Sequence, residues 1–117
     1  LSVIRTFSGG AKNEYTGDKE SPVEFDPDTG IITKCLSYIQ TTPGGTKYEY
    51  TGNNDTPVER DPDTGKVTKC LSYIQTSPGG TKYEYTGDKE SPVERDPDTG
   101  RVTKYVSYKT NRSCVIL

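Results

Sequence analysis

The sequence predicts an all-β protein made of three tandem 35-residue antiparallel β-meander repeats stacked side by side. Three observations predict this class. The segments VEFDPDTGIITKC, VERDPDTGKVTKC and VERDPDTGRVTKY begin at Val23, Val58 and Val93, a spacing of 35 residues both times. Apolar and polar residues alternate, with many Tyr and Thr, which is typical of strands with one half-buried face. Gly, Pro and Thr interrupt the chain too often for helices.

The repeat boundaries follow from this spacing. Repeat 1 covers residues 1–35, repeat 2 covers 36–70 and repeat 3 covers 71–105, while 106–117 form a partial fourth repeat strand and an apolar tail. Repeats 2 and 3 are identical at 28 of 35 positions. A repeat of this size usually cannot bury its apolar face alone, so stacked neighbours must cover it. Leu, Ile, Val and Phe make up only 20 of the 117 residues, which suits thin β-structure better than a large globular core.

Each unit contains one long predicted strand, of which residues 66–76 (KVTKCLSYIQT) are an example. Strict alternation places Val67 and Tyr73 on one face, and Cys70 and Ile74 on the other. A Pro-Gly-Gly turn leads into a Tyr-x-Tyr strand, and a short strand follows that begins after a Pro. The last turn, Asp-Pro-Asp-Thr-Gly, closes a hairpin because Pro presets φ, Asp caps the turn and Gly adopts the left-handed conformation.

One resemblance covers most of a unit. The segment GGTKYEYTGDKESPVERDPDTGRVTKYVSY, residues 79–108, is similar in rhythm to YD repeats of the Rhs type, with a Tyr-x-Tyr strand, a polar turn, a DPD-Gly turn and another Tyr strand. The resemblance implies β-hairpins wound side by side. Thr86 stands where the Tyr-Asp signature has Asp, and the resemblance implies no catalytic residue.

The residue types argue against an enzyme or a cofactor. The chain has no His, the side chain best suited to acid–base chemistry near neutral pH. Paired carboxylates such as Asp61 and Asp63 recur at each predicted turn, where capping explains them better than glycoside hydrolysis or calcium binding. The formal net charge is −2 without a basic stripe, so no nucleic-acid partner is predicted. No apolar run has transmembrane length.

The compartment is predicted to be extracellular. The chain begins with Leu1 rather than Met, so either a leader was removed or a longer protein was trimmed, and a cleaved secretory signal is the simplest cause. Asn54 and Asn111 lie in Asn-x-Ser/Thr sequons and are candidate glycosylation sites.

The cysteines leave two questions open. Cys35, Cys70 and Cys114 are odd in number, so each is a candidate for an intermolecular disulfide, and free or half-buried thiols are the alternative. The last four residues, CVIL, have the form of a geranylgeranyl-type prenylation box. The alternative localisation is therefore a membrane-anchored protein with a lipid on Cys114.

The two ends of the array predict self-association. Phe25 and Ile31 flank the first DPDTG turn, where the later units have Arg or Lys, and should face each other across the hairpin. An end that is more apolar than the middle is the reverse of a polar solubility cap. Unpaired strand edges also recruit other strands. We predict a structural or adhesive protein that forms a homo-oligomer or filament. The predicted interface residues are Phe7, Phe25, Ile31, Val115, Ile116 and Leu117.

The alternative function is a multivalent, lectin-like glycan-binding domain, with a closed three-fold β-trefoil or β-prism as its fold. Aromatic rings stack on sugars, and three equivalent loops would give avidity. The candidate glycan-binding residues are Tyr48, Tyr50, Tyr83, Tyr85, Asn53 and Asp88. The same Tyr pairs are also explained by a cross-strand aromatic ladder inside a thin sheet.

Overall fold

The computed structural model describes residues 2–6 and 9–111, which form thirteen β-strands and no helix. The strands are β1 (Ser2–Thr6), β2 (Lys12–Thr16), β3 (Glu24–Phe25), β4 (Ile32–Cys35), β5 (Ser37–Thr41), β6 (Lys47–Thr51), β7 (Val58–Arg60), β8 (Val67–Cys70), β9 (Ser72–Thr76), β10 (Lys82–Thr86), β11 (Val93–Arg95), β12 (Val102–Lys104) and β13 (Ser107–Asn111). Within these ranges there is no helix of the length and apolar character needed to cross a membrane.

The chain alternates between two sheets and contributes one hairpin to each in turn. Sheet A has the strand order β1-β2-β5-β6-β9-β10-β13, and sheet B has the order β12-β11-β8-β7-β4-β3. Every neighbouring pair is antiparallel. The all-β prediction is confirmed. The closed three-fold alternative is wrong because both sheets are open, with β1 and β13 at the edges of sheet A and β3 and β12 at those of sheet B.

The long strand predicted over residues 66–76 is instead two strands in different sheets, β8 and β9, which meet at Leu71. The Leu71 N–H donates to the carbonyl of Thr51 at 2.8 Å, and its own carbonyl accepts from the N–H of Gly87 at 2.8 Å. The corner therefore keeps its backbone groups paired. An alternating sequence pattern does not reveal such a corner, because no turn residue is needed there.

A β-bulge interrupts the alternation in β8. Lys69 lies opposite Glu59 and Val67 lies opposite Arg60, which leaves Thr68 as an extra residue in the strand. The Thr68 hydroxyl donates to the carbonyl of Glu59 at 3.4 Å. The predicted strict alternation through this segment is wrong, because the bulge turns both ends of β8 towards the interior.

The core lies between the sheets and is thin. Sheet A contributes tyrosines, whereas sheet B contributes aliphatic side chains and two cysteines. The buried apolar residues are Tyr15, Tyr38, Tyr50, Tyr73, Ile32, Val58, Val67, Val93, Cys35 and Cys70. Among the described residues, every buried side-chain nitrogen or oxygen has a hydrogen-bond partner. Aromatic area therefore replaces the aliphatic area that the composition lacks.

The Asp-Pro-Asp-Thr-Gly turns have the predicted chemistry. The Asp61 carboxylate accepts from the N–H of Asp63, and the Asp61 carbonyl accepts from the N–H of Gly65, both at 2.8 Å. Gly65 has φ +76°, which favours glycine. Asp26 and Asp96 accept equivalent bonds in the other two turns. The carboxylates therefore cap turns at the tip of each sheet B hairpin.

Candidate functional site

Six tyrosines stack in one row across the inner face of sheet A, and we call this row the tyrosine ladder. Strand register places one on each of six neighbouring strands. They are Tyr15, Tyr38, Tyr50, Tyr73, Tyr85 and Tyr108. Neighbouring ring centroids lie 4.7 to 5.5 Å apart, and the first five rings are parallel to their neighbours within 10°. The predicted aromatic ladder is therefore present.

An arginine from sheet B covers the first two rings of the ladder. The guanidinium carbon of Arg60 lies 5.1 Å from the ring centroid of Tyr15 and 4.7 Å from that of Tyr38. Its Nη1 donates to the Tyr15 hydroxyl at 2.9 Å and to the carbonyl of Ile32 at 3.1 Å, and its Nε donates to the carbonyl of Gly65 at 2.8 Å. A planar cation thus lies within cation–π distance of two rings and ties them to the sheet B turn.

Arg95 makes the same contacts 35 residues further along the chain. Its guanidinium carbon lies 5.2 Å from the ring centroids of both Tyr50 and Tyr73. It donates to the Tyr50 hydroxyl at 3.0 Å, to the carbonyl of Val67 at 3.3 Å and to the carbonyl of Gly100 at 3.2 Å. Each arginine therefore covers one pair of rings.

The last pair of rings has no such cover among the described residues. Tyr85 and Tyr108 have centroids 4.7 Å apart, and Tyr105 packs edge-on against Tyr85 at 5.4 Å. At the opposite end of the molecule, Phe25 holds the sequence position of the two arginines but is 61% exposed. An uncovered aromatic cluster and an exposed aromatic ring thus lie at opposite ends.

The exposed large apolar side chains of the described residues all lie at these two ends. Ile4 on β1 and Phe25 on β3 are 58% and 61% exposed, and we call this the Phe25 end. Tyr105, Val106 and Tyr108, beside or on β13, are 46%, 56% and 43% exposed, and we call this the Tyr108 end. The open edges of both sheets lie at the same two ends.

Two of the six predicted interface residues, Phe25 and Ile31, lie within the described part of the chain. Phe25 is exposed at an end, and Ile31 is half-buried. The prediction that these two face each other is wrong, because a register shift places Phe25 opposite Ile32. Outside the described residues lie Phe7, Val115, Ile116 and Leu117.

A polar groove of about 590 Å³ runs between the sheets beside the covered part of the ladder. Its polar lining includes Gln40, Tyr48, Gln75, Arg60, Lys66 and Arg95. Cross-strand pairing places Tyr48 between Gln40 and Gln75. The lining contains cations, amides and hydroxyls but no carboxylate, although the whole chain has a net charge of −2.

The tyrosines predicted to bind glycans divide into two sets. Tyr50 is 3% exposed and Tyr85 is half-buried, and both stack within the ladder, which leaves no free face of the Tyr50 ring for a sugar. Tyr48 and Tyr83 are half-buried in a second row on the same face of sheet A, and Tyr48 lines the groove.

The polar residues predicted to bind glycans, Asn53 and Asp88, accept hydrogen bonds from backbone N–H groups within their own loops. The Asn53 side-chain oxygen accepts from the N–H of Thr56 at 2.7 Å, and the Asp88 carboxylate accepts from the N–H of Ser91 at 2.7 Å. Asn53 follows the end of β6, whereas the groove tyrosine lies near its start, so Asn53 and Tyr48 lie towards opposite ends of this strand. The sequon residue Asn54 is exposed on the same loop.

Two of the three cysteines are buried free thiols. Cys35 and Cys70 are both 0% exposed. Burial raises the pKa of each thiol from 9.0 to about 12, which the nearby Arg60 and Arg95 only partly offset. The predicted intermolecular bridge therefore has no accessible sulfur at these two positions, and the alternative of buried thiols describes them. Cys114 lies outside the described residues, as does the proposed prenylation box.

The inward direction of Arg60 and Arg95 was missed at the sequence level, because an arginine in a short alternating strand is usually a surface residue. One signal was available. Each follows a ladder tyrosine, Tyr38 or Tyr73, by the same 22 residues.

The chain matches no protein-family model, no curated protein and no solved structure. Over residues 2–6 and 9–111, no group of three or more His, Cys, Asp or Glu side chains could hold a metal ion. The ladder, its two ends and the groove are therefore the features from which a function can be proposed.

We expect the substitution Arg60→Lys to lower the free energy of unfolding by about 2 kcal/mol, because lysine lacks the guanidinium that lies against Tyr15 and Tyr38 and donates to Gly65. Urea unfolding followed by circular dichroism measures this. Arg101→Lys is the matched control at an exposed side chain, with an expected change below about 0.5 kcal/mol. Equal losses in the two variants would contradict the role of the ladder contact.

The buried thiols predict a dependence on alkaline pH. In a Cys114→Ser variant, we expect Cys35 and Cys70 to resist a thiol reagent in the folded protein and to react after unfolding in urea.

Because the folded thiol pKa of about 12 exceeds the ordinary value of 9.0, the unfolded chain loses these protons first as the pH rises. The contribution of these two thiols to stability should therefore be constant below about pH 9 and be lost between pH 9 and 12. Rapid labelling of the folded variant would show that the thiols are accessible.

Proposed function

We propose that this is a non-enzymatic, extracellular structural or adhesive protein in which three tandem 35-residue units stack side by side, and that it self-associates into filaments. The observation that carries the proposal is that the exposed large apolar side chains of the described residues gather at the two ends, beside open edges of both sheets. Apolar patches on unpaired edges favour pairing with another strand. A second copy of this chain supplies a matching edge.

Charge on the outer face of sheet B favours a head-to-tail arrangement. Acidic and basic residues alternate from strand to strand across this sheet. In order they are Glu24, Lys34, Glu59, Lys69, Glu94 and Lys104. The row has Glu24 at the Phe25 end and Lys104 at the Tyr108 end. A second copy added head to tail therefore continues the alternation, whereas contact between two like ends would place like charges opposite each other. Contacts between unlike ends build filaments when they do not close into a ring.

We expect sedimentation velocity of the purified chain to show oligomers whose proportion rises with protein concentration, with or without reductant. Val106→Lys should weaken association by about tenfold or more, because it places a charge in the contact beside Lys104. Thr51→Lys adds the same charge at an exposed position on the interior strand β6 and should associate like the unmodified chain. A protein that stays monomeric at high micromolar concentration would overturn the proposal.

A second candidate function is the binding of an acidic glycan in the groove. Arg60, Arg95 and Lys66 provide positive charge without a competing carboxylate in the lining. Guanidinium, amide and phenol groups match the carboxylates and hydroxyls of a uronic-acid chain. Tyr48 adds an aromatic ring between two glutamine side chains.

Isothermal titration with an oligogalacturonate and with a neutral glucan of equal length tests this candidate. We expect the acidic chain to bind and the neutral one not to bind. Lys66→Gln should weaken binding by about fivefold, since one exposed charge is lost from the lining. Lys69→Gln, outside the groove lining, is the control and should bind normally. Equal binding of both sugars, or binding of neither, would contradict the acidic-glycan site.

A further inference from the structure

A second copy cannot simply be added to sheet A. Neighbouring strands in this sheet are antiparallel and seven in number, so the two edge strands β1 and β13 run in the same direction. Sheet B has six strands, so β12 of one copy and β3 of a translated copy run in opposite directions and can pair. Sequence spacing makes β1 and β13 equivalent, since Ser2 and Ser107 are separated by three 35-residue steps. Pairing in sheet B therefore brings β1 of the second copy to the place that β13 of the first already occupies.

Resting on the proposed self-association, we propose that β13 of one copy replaces β1 of the next. In this arrangement β13 stays paired with its own β10 and also pairs with β2 of the second copy. It then lies between two neighbours, as β5 lies between β2 and β6 and as β9 lies between β6 and β10. The displaced β1 leaves the sheet.

The register of the interior strands shows which residues of β13 would lie opposite those of β2. The equivalent interior pair is β5 with β6, in which Tyr38 lies opposite Tyr50 and the next residue lies opposite Glu49. In the same register, β13 places Tyr108 opposite Tyr15 and Lys109 opposite Glu14. Lys109 already makes an ion pair of this kind with its own β10, where its Nζ lies 3.4 Å from Oε2 of Glu84.

The strand β1 makes fewer favourable side-chain contacts with β2. It places Val3 opposite Tyr15 and Ile4 opposite Glu14. Val3 adds no ring to the ladder, and Ile4 remains 58% exposed. Replacement of β1 by β13 therefore continues the tyrosine ladder from one copy into the next and exchanges an apolar side chain beside a carboxylate for a cation.

Replacement also covers the uncovered end of the ladder. Arg60 covers the ring on β5 and the ring on β2, two strands that come from successive units. At the junction between copies, the residue in the equivalent position is Phe25 of the second copy, and the two rings are Tyr85 and Tyr108 of the first. Phe25 is 61% exposed and Tyr108 is 43% exposed, so both lose contact with water.

Strand pairing between the two copies in sheet B supplies further stabilising contacts. The β8·β11 register pairs Cys70 with Val93 and the preceding lysine with Glu94. The same register at the junction sets Val23 of the second copy beside Tyr105 and Glu24 opposite Lys104. In sheet A, five β1·β2 residue pairs are exchanged for five β13·β2 pairs, as in the equivalent β5·β6 pairing, so the number of paired backbone residues does not change there. The new sheet B pairs and the buried aromatic rings therefore drive the exchange.

A disulfide that pins β1 to β2 tests the proposal in a Cys114→Ser background. Ser2 and Thr16 are exposed cross-strand partners, so Ser2→Cys with Thr16→Cys forms a removable bridge. We expect the oxidised variant to stay monomeric and the reduced variant to assemble like its parent. The control bridge, Thr51→Cys with Ser72→Cys, joins the interior strands β6 and β9 and should leave assembly unchanged.

A cross-link between chains supplies a direct readout. When a chain with Thr16→Cys is mixed with a chain with Ser107→Cys, we expect a disulfide-linked heterodimer on a non-reducing gel, because the proposed register places these residues opposite each other. Ser2→Cys mixed with Ser107→Cys is the control, since equivalent positions do not meet. The absence of the first cross-link during assembly would overturn the register.

Substitution of Phe25 separates ladder continuation from a general apolar contact. Phe25→Arg restores the residue that covers the interior rings and should preserve assembly, whereas Phe25→Glu should weaken it by about tenfold or more, because a carboxylate is repelled by the ring faces. Equal loss in both variants would overturn the contact over the ladder.

The outcomes separate the two proposals. If the unmodified chain remains monomeric, self-association fails and strand replacement fails with it. If the unmodified chain assembles and the oxidised Ser2–Thr16 variant assembles equally well, self-association stands and strand replacement is overturned.

Discussion

The rest of the structure depends on the stacking of the tyrosine ladder beneath its arginines. Neighbouring strands in a sheet lie about 4.8 Å apart, close to the 4.7 to 5.5 Å between the stacked rings. Stacking therefore requires each strand to keep its register, since a slip of one residue would turn a ring to the outer face. Arg60 and Arg95 join pairs of rings to the sheet B turns, so the two sheets hold each other at a fixed offset. With few aliphatic side chains available, each unit of the proposed stack is stabilised mainly by the units beside it.

The sequence was sufficient for the features that depend on local chemistry. Alternation with Tyr and Thr predicted the all-β class, and Asp-Pro-Asp-Thr-Gly predicted the capped turns, because both are decided by neighbouring residues. The corner at Leu71 and the bulge at Thr68 were not predictable in this way. At Leu71 the backbone bonds of the corner go to residues far along the chain, and the extra residue in β8 is defined only by its partner strand. The placement of Tyr50 was not predictable for the same reason, since both faces of its ring stack on tyrosines of neighbouring strands.

The first unit differs from the others at two positions that touch each other in the interior units. Where Arg60 covers the ring of Tyr38, the first unit has Phe25 and Val3 in the corresponding places. An arginine without a complete pair of rings would have lost part of its stacking partner, whereas a phenylalanine can contact aromatic rings supplied by another chain. The paired change is therefore consistent with an end that is built for contact with the Tyr108 end rather than with water.

Competition between β1 and β13 explains how such a chain would avoid assembling at once. Only five residues separate β1 from β2 in the chain, so the effective concentration of β1 at β2 is far above that of β13 from another molecule. In the proposed assembly, β13 prevails only because the contacts of Tyr108, Lys109 and the sheet B junction form together. Partial encounters that lack one of these contacts leave β1 in place. The weak strand at the Phe25 end would therefore act as an internal competitor, and the strength of its pairing sets the protein concentration at which filaments begin to form.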